Sequence, residues 1–437
     1  MASRLISSWG NVIRASHLLY GLHSRYDAFP ATPANTTVLP FGNGRSYGDS
    51  CLNVGGALLQ TRSLDRFIHF DRETGVLACE AGVLLAEILQ LVVPAGWFLP
   101  VVPGTCYVTV GGAIANDVHG KNHHRAGSFG RYLRRFELLR SDGQRLICSS
   151  TENPEWFAAT VGGLGLTGVV TWAELQLRRV SGPRMDVESI RFGHLDEFFS
   201  LCDESERDFE YTVAWIDCLG RGKHLGRGIL QRANHATTAA SGTSASRQLS
   251  VPFPLPISLV NPLSLRVFNT VHYHRQSARH KRTCEHFQGF FFPLDGILHW
   301  NRLYGPRGFY QYQCVVPSAV GREATAELLG KIAHSGLGSF LAVLKRFGPV
   351  ESPGMLSFPR EGVTLALDFP NKGERVQRLF AALDKVVSQA GGTLYPAKDG
   401  RMPGALFRGG YPRWQEFSNY IDPASSSSFW RRVTEDA

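Results

Sequence analysis

The chain has no CxxC pair, and its eight cysteines (Cys51, Cys79, Cys106, Cys148, Cys202, Cys218, Cys284 and Cys314) stand singly. Neither a zinc knuckle nor a dense disulfide framework is indicated, and a reducing compartment is the simpler setting. It also lacks any run approaching the roughly 18 to 20 apolar residues of a membrane-spanning helix. The N-terminal MASRLISSWGNVIRASHLL has no continuous apolar segment followed by a small-residue cleavage site, so no secretory signal is expected. Apolar residues in general are not scarce. With 43% hydrophobic and 19% charged residues the chain is globular, and 437 residues exceed one ordinary core, so two or three domains are expected. Acidic residues fall short of basic ones, and the net charge of +9 admits nucleic acid, an anionic membrane or an acidic substrate. The basic clusters at 131–135 and 275–282 lack the regular interleaving with aromatics of a single-strand groove, so no nucleic-acid partner is expected.

Residues 35–180 read as short strands and helices punctuated by glycine. Residues 76–83 alternate as a strand, and 83–93 carry a helical apolar face that Pro94 and Gly96 stop. Asn153-Pro154 is an N-cap and first-turn pair, opening a helix that runs into Gly162 and Gly163. Trp172, Glu174 and Gln176 then alternate against Ala173, Leu175 and Leu177 as a strand. Beyond residue 180 the character changes. The run ANHATTAASGTSASRQLSVPFPLP (233–256) is small and polar and predicts a mobile loop. After it come a strand (309–316), a helix (322–335), two strands (339–347 and 363–369), a helix (373–390) and a strand (393–395). This β-α-β-β-α-β order is a ferredoxin-like element, which makes the chain α+β. Val376, Leu379, Phe380, Leu383 and Val387 form one stripe on the second helix. In the strand 363–369, Val363, Leu365, Leu367 and Phe369 point to the core, leaving Thr364, Ala366 and Asp368 on a candidate ligand wall.

Two glycine-rich stretches carry the chemical signal. In the first, LPFGNGRSYGD (39–49), the spacing of Gly42, Gly44 and Gly48 misses the dinucleotide fingerprint by one residue, and no helix opening follows, so a Rossmann site is excluded. Such a loop can still wrap a pyrophosphate, because consecutive backbone N–H groups form an anion-binding nest where no Cβ blocks approach. The second stretch, 103–120, repeats the device. Together they suit a diphosphate with a nucleotide on each side, although either alone could simply mark tight turns. His119 and His123, four apart, could share a helix face, but no carboxylate or cysteine completes a coordination set nearby and no metal is expected. His123 and His124 read as structural or hydrogen-bonding residues.

GNGRSYGD (42–49), VPGTCYVTVGGAIANDVHGKNHHRAGSFG (102–130) and TVGGLGLTGVV (160–170) resemble the PCMH-type FAD-binding domain of the vanillyl-alcohol-oxidase-type flavoproteins. Within that superfamily, WNRLYGPRGFYQYQ (300–313), SFLAVLKRFGP (339–349) and LYPAKDGR (394–401) resemble the decaprenylphosphoryl-β-D-ribose 2'-oxidase family. The resemblance runs in register from about residue 39 to 401 and is weakest over 182–289. It implies an FAD-binding domain (1–181), a substrate-binding domain with an antiparallel sheet and helices (182–392), and a C-terminal segment returning to the first domain (393–437). FAD would be held by Pro40, Phe41, Gly42, Asn43, Gly44, Arg45, Ser46, Tyr47, Gly48, Asp49 and Ser50 in the first stretch. In the second it would meet Gly104, Thr109, Val110, Gly111, Gly112, Asn116, Asp117, Val118 and His119, with Val170 and Tyr395 beyond. The substrate would meet Lys121, Gln313, Lys345, Thr364, Ala366 and Lys398, with Lys398, Tyr47 and His119 at the reacting centre.

The implied reaction is oxidation of the 2'-hydroxyl of a polyprenylphosphoryl-β-D-ribose to the 2'-keto sugar, the first half of epimerisation to the arabinose lipid. It brings a short-chain dehydrogenase/reductase partner and a location in the cytoplasm or peripheral at the inner membrane. A soluble alditol or aldonolactone oxidase is the alternative on this scaffold. Relatives with covalent flavin carry a histidine where this chain has Tyr47, which implies non-covalent FAD. Berberine-bridge-type relatives link flavin through a cysteine near the second stretch, which leaves Cys106 as an open alternative. The mycobacterial members carry Asn and Cys in place of Thr364 and Ala366, and Tyr in place of Phe291, so the pocket is expected to differ there. The residue chemistry agrees: flavin oxidation of an alcohol needs a base for the hydroxyl proton, and lysines from distant segments suit a phosphorylated sugar. Lys398, crowded by other cations, is expected to have a lowered pKa.

Overall fold

The computed structural model describes residues 3–237, 249–253, 256 and 258–435. Besides one two-stranded pair, Trp97–Phe98 with Arg178–Arg179, two larger sheets form from the first 180 residues. In one, β1 (Ser3–Ser7) pairs antiparallel with β2 (Arg14–Gly21), and β2 and β3 (Val38–Phe41) flank β4 (Ala57–Gln60) in parallel. Ala57, Leu58 and Leu59 are consecutive and fully buried, as a central parallel strand covered on both faces requires. The other sheet takes β5 (Phe67–Asp71), β6 (Val76–Glu80), β7 (Leu133–Leu139), β8 (Arg145–Ser149) and β9 (Val169–Gln176) in the antiparallel order β5-β6-β9-β7-β8. Along β9 buried and half-buried residues alternate without a break, as period two predicts.

The longer helices that accompany these sheets are α1 (Leu85–Val92), α2 (Val110–Ala115) and α3 (Pro154–Thr160), with a single turn at His123–Ala126. Helix α3 starts at Pro154 as expected, but Asn153 does not cap it. Asn153 is left-handed (φ 47°), and its side-chain amide turns back to donate to the Ile147 carbonyl (2.7 Å).

Beyond residue 183 the chain lays down the same unit twice. The first is β10 (Arg184–Phe192), α4 (Leu195–Ser205), β11 (Tyr211–Ile216), β12 (Gly228–His235), α5 (Pro262–Arg275) and β13 (His280–His286). The second is β14 (Phe309–Val316), α6 (Gly321–Ser335), β15 (Ala342–Phe347), β16 (Gly362–Pro370), α7 (Glu374–Gln389) and β17 (Thr393–Leu394). The second unit is the one the sequence predicts, and the first is a further copy that the sequence reading does not contain. They join edge to edge through Ala214 opposite Leu344 and Trp215 opposite Val343, giving one eight-stranded sheet, β13-β10-β12-β11-β15-β16-β14-β17. The whole is α+β.

One face of this sheet carries the larger core. Leu328, Leu329 and Ile332 of α6, and Val376, Leu379, Phe380, Leu383 and Val387 of α7, close over it with Phe198 and Leu201 of α4. Helix α5 departs from this layout. It crosses to the opposite face, where Leu265 joins the cluster holding Tyr47, Trp300 and Phe309, and His272 packs 4.5 Å from the Trp215 ring.

The run predicted as a mobile loop, 233–256, is structured at both ends. Ala233, Asn234 and His235 close β12, and Leu249–Ser250 pairs in parallel with Ile297–Leu298, because backbone hydrogen bonds need no large side chains. Residues 238–248 and 254–255 of that run lie outside the described residues. No helix of the described residues is long and apolar enough to cross a membrane.

After β17 the chain returns to its beginning. Ser425 bridges to Val38, the Ser428 amide donates to the Leu52 carbonyl (2.8 Å), and α8 (Ser428–Thr434) carries Arg432 to Asp49 and Asp399. Arg432 grips Asp49 with two hydrogen bonds of 2.8 and 2.7 Å and reaches Asp399 at 3.0 Å. Because β17 pairs with β14, Thr393 and Leu394 go with the sheet. We propose that the second domain runs to Leu394 and the returning segment begins at Tyr395. Arg432→Met strands two buried carboxylates, so we expect a loss of about 3 to 5 kcal/mol in urea unfolding. A loss below about 1 kcal/mol, the range of a solvent-exposed pair, would show that the tie is dispensable.

Candidate active site

The bare face of the sheet looks onto the glycine-rich loops across a cavity of about 890 Å³. The strand register decides what that face presents. Gln311 stands opposite Asp368, Gln313 opposite Ala366, and Val315 opposite Thr364, while Thr364 and Ala366 in turn face Lys345 and Val343. Period two sends all of Gln311, Gln313, Val343, Lys345, Thr364, Ala366 and Asp368 to one side, and each lines the cavity. The strand face of Thr364, Ala366 and Asp368, expected from the sequence to point away from the core, therefore forms part of the cavity wall. Lys398 enters from the turn after β17, where its amide donates to the Tyr395 carbonyl (3.0 Å), and Lys121 enters from the end of the second glycine-rich stretch.

Burial sets the electrostatics. Lys121 falls to about 7, driven by desolvation and opposed by Glu285. Lys345 also falls to about 7, through burial and then the charges of Lys121 and Lys398. Lys398 is lowered too, but by burial, with Asp368 opposing; crowding by cations acts on Lys345 instead. The Asp368 carboxyl is pushed upward by burial, against the amide of Gln311 (2.7 Å) and the charge of Lys398. Lys398 Nζ lies 4.0 Å from the centroid of the Tyr47 ring, whose phenol burial keeps neutral. His119 is neutral for the same reason. Lys345 Nζ is 3.1 Å from its Nδ1 and the Gln313 amide 2.9 Å from its Nε2. With Lys345 donating to Nδ1, the Nε2–H donates to the Gln313 carbonyl once that amide is turned over. Lys121 donates to the Phe290 carbonyl and sits 4.2 Å over the Phe290 ring.

The loops opposite fit a dinucleotide, though not quite as predicted. In the first stretch the amides of residues 42–46 find no acceptor among the described residues, whereas Tyr47 donates to the Ala397 carbonyl (2.9 Å). Gly44 is left-handed (φ 60°), and a Cβ on Gly104 would meet nothing within 4 Å. Two buried polar atoms in this wall, Arg45 Nε and Ser50 Oγ, have no partner among the described residues, and Arg45 lies over the Trp9 ring at 4.1 Å with no ion pair among them. A guanidinium so placed suits an anionic ligand.

The second stretch does not repeat the nest. Its amides at Val110, Gly111 and Gly112 are already taken by Val83 O, Ala81 O and Thr109 Oγ1. It serves instead as the partner wall: the side-chain amide of Asn43 donates to the Tyr107 carbonyl (2.7 Å), and a Cβ on Gly42 would lie 2.5 Å from Thr109 Oγ1.

Of the residues predicted to touch FAD, Pro40 to Tyr47, Ser50, Gly104, Thr109, Gly111, Gly112, Asn116, Val118, His119, Val170 and Tyr395 line the cavity. Four do not. Gly48 packs against the chain at Asp399, Asp49 is held by Arg432, Val110 is in the core, and Asp117 is buried against the Gly130 amide and Ser357 hydroxyl. Lys121, Gln313, Lys345, Thr364, Ala366 and Lys398 all line it. The sequence reading left Gln311 unassigned and Asp368 without a role; the QYQ pair of glutamines, two apart on one strand, was a legible sign of the first.

His123 and His124 stay outside the cavity: the His123 ring packs 4.4 Å from Phe347, and His124 Nε2 meets the Phe209 carbonyl at 3.2 Å. Among the described residues no group of three or more His, Cys, Asp or Glu is placed to hold a metal ion.

Comparison with known proteins assigns this architecture. Residues 30–149 match the FAD binding domain family. The decaprenylphosphoryl-β-D-ribose oxidase of Mycolicibacterium smegmatis is 36% identical over 400 residues, covering 88% of this chain and 86% of the relative. An uncharacterised Streptomyces coelicolor protein is 37% identical over 370 residues, 80% of this chain and 100% of its own. Cytokinin dehydrogenase 8 of Oryza sativa subsp. indica is 30% identical over 160 residues, 34% of this chain and 30% of its own. A PCMH-type FAD-binding domain beneath a capping antiparallel sheet defines an FAD-dependent oxidoreductase. The chain belongs to the decaprenylphosphoryl-β-D-ribose oxidase family. Gly42→Val would force the two loops apart. We expect the Kd for FAD, measured by flavin fluorescence, to rise about tenfold or more, equivalent to about 1.4 kcal/mol. An unchanged Kd would remove the contact from the binding site.

Proposed function

We propose that the enzyme oxidises the 2'-hydroxyl of a polyprenylphosphoryl-β-D-ribose to the 2'-keto sugar, the first half of an epimerisation to the arabinose lipid. The observation that carries this reading is the convergence of Lys121, Lys345 and Lys398, from three distant segments, in the one cavity that the FAD-lining loops also face. The name of the mycobacterial relative supports the lipid-linked ribose. FAD supplies the acceptor for the hydride leaving C2'. The side chains do the rest. Lys121 and Lys345 bind the phosphodiester, and Gln313, oriented by Thr364 and His119, holds a sugar hydroxyl. Lys398, biased by burial toward its neutral form, takes the hydroxyl proton, and Asp368 with Gln311 keeps its amine aimed beside Tyr47.

FAD is held without a covalent bond in this reading. No histidine stands at Tyr47, and the Cys106 thiol donates to Asp295 (3.2 Å) and is pushed upward by burial and that carboxylate, which suppresses the thiolate that would attack flavin. The keto sugar would pass to a short-chain dehydrogenase/reductase, and the lipid tail calls for peripheral contact with the inner membrane from the cytoplasmic side or its opposite.

Lys398→Met retains FAD but loses substrate reduction of the flavin by about 10²- to 10⁴-fold in anaerobic stopped flow; reduction within a few-fold of the parent would end the assignment. Bleaching by soluble alditols or aldonolactones, and none by the lipid-linked ribose, would replace the substrate. The phosphodiester stays anionic throughout the accessible pH range, so affinity follows the lysines. Below about 7 Lys121 and Lys345 are charged, and above it each loses its proton in the free enzyme. KM should therefore rise with pH between 6 and 9, by up to about tenfold per unit per lysine. A flat KM would refute their role in phosphate binding.

A further inference from the structure

Helix α5 has apolar residues on both sides. Leu265 faces the core, yet Leu263, Val267 and Val271, four apart and in one row along the outer face, are 73%, 57% and 61% exposed. Leu259 (48% exposed) immediately precedes the helix and accepts from the Ser264 hydroxyl. Leu249, 64% exposed, pairs with Ile297, and Phe253, 63% exposed, follows the Val251 and Pro252 carbonyls that Arg302 holds, next to Leu303, whose carbonyl accepts from the Leu259 amide (3.2 Å). A water-facing helix would carry polar residues in this row. Six exposed apolar side chains in one neighbourhood mark an interaction surface.

Charge and position say what covers it. Residues 218–284 contain ten Lys and Arg and no Asp or Glu. Arg227, Arg232, Arg279 and Arg282 of these are paired with acids from elsewhere, but Arg266 and Arg275, which flank the apolar row on its two sides, and Lys281 make no ion pair among the described residues. Apolar side chains ringed by unpaired cations are complementary to a bilayer bearing anionic headgroups. A second copy of the chain would instead set this cationic rim against itself. The inner side of the same helix opens onto the cavity, which His272, Arg275 and Gln276 line.

We infer that the outer face of α5, with Leu249, Phe253 and Leu259, docks on an anionic lipid bilayer and sets the cavity mouth at the headgroup level. A substrate with a long prenyl tail then leaves the tail in the bilayer while its phosphosugar enters. This second statement rests on the substrate proposed above; the docking itself does not.

The test is co-sedimentation of the full-length FAD-loaded enzyme with vesicles of phosphatidylcholine alone or mixed with phosphatidylglycerol. The wild type should partition onto the mixed vesicles and gain hydrogen-exchange protection over residues 249–275. Leu263→Ser, Val267→Ser and Val271→Ser together should lower the partition coefficient about a hundredfold. Arg266→Glu alone should lower it roughly five- to tenfold. None of these four residues lines the cavity, so bleaching by a short-prenyl phosphoribose in detergent should be unchanged in each variant. No binding by the wild type, undiminished binding by the triple variant, or a dimer in sedimentation velocity that the triple variant abolishes would each overturn the docking. Vesicle binding without bleaching by any phosphoribose would leave the docking standing and sink the substrate.

Discussion

The site depends on one register. Gln311 opposite Asp368, and Lys345 opposite Thr364, put Gln311, Gln313, Lys345, Thr364 and Asp368 of three neighbouring strands on the cavity side and Leu344, Leu365 and Leu367 beneath the helices. A slip of one residue along β16 would exchange Asp368, Ala366 and Thr364 for Leu367, Leu365 and Val363, filling the cavity with aliphatic side chains and driving a carboxylate into the core. The helices enforce the register. Val376, Leu379 and Phe380 sit in the core on the helix side, Phe380 against the rings of Tyr312 and Phe369, and the Asp384 carboxylate, fixed between the Tyr312 hydroxyl (3.1 Å) and Arg401, anchors α7 to the neighbouring strand. The precision of the site is thus inherited from the core on the far side of a single sheet.

The second governing fact is cation burial. Three lysines and Arg45 share one cavity with Asp368, Glu285 and Asp295, and both Asp368 and Glu285 are themselves pushed toward the neutral form. Such an arrangement stores desolvation cost that only anionic ligands relieve. The fold tolerates it because the cations come from different segments, each held by its own backbone contact: Lys121 to Phe290, Lys345 to Gly120, Lys398 in a tight turn.

Much of this was legible in the sequence. The second βαββαβ unit announced itself because β16 is aliphatic on alternate residues and α7 carries an unbroken stripe. Its twin was hidden for physical reasons. The edge strand β13 reads HKRTCEH, and five of its seven residues are exposed, which suits an edge that must not recruit other chains but gives no apolar period. Helix α5 has no polar face to contrast with its apolar one. At the cofactor loops, glycine alone did not reveal which amides were free: the same residue type serves a nest at Gly44, a close contact of Gly111 with the turn at Ala81 and a backbone crossing at Gly48, where a Cβ would lie 1.6 Å from the Asp399 oxygen. Asp49 and Asp117 sit in the same motifs because they hold the loops and not because they line the cavity.

The tie between Asp49 and Arg432 spans 383 positions. It places a requirement on the order of synthesis. The loop that lines the flavin cavity leaves the ribosome 383 residues ahead of the arginine that neutralises its buried carboxylate, and Val38 likewise precedes Ser425, its strand-like contact. Until then the first sheet lacks a flank and the nest lacks its buttress. Cofactor capture consequently waits on the synthesis of α8, and a chain cut before Arg432 would keep the cavity-facing residues and still hold flavin poorly.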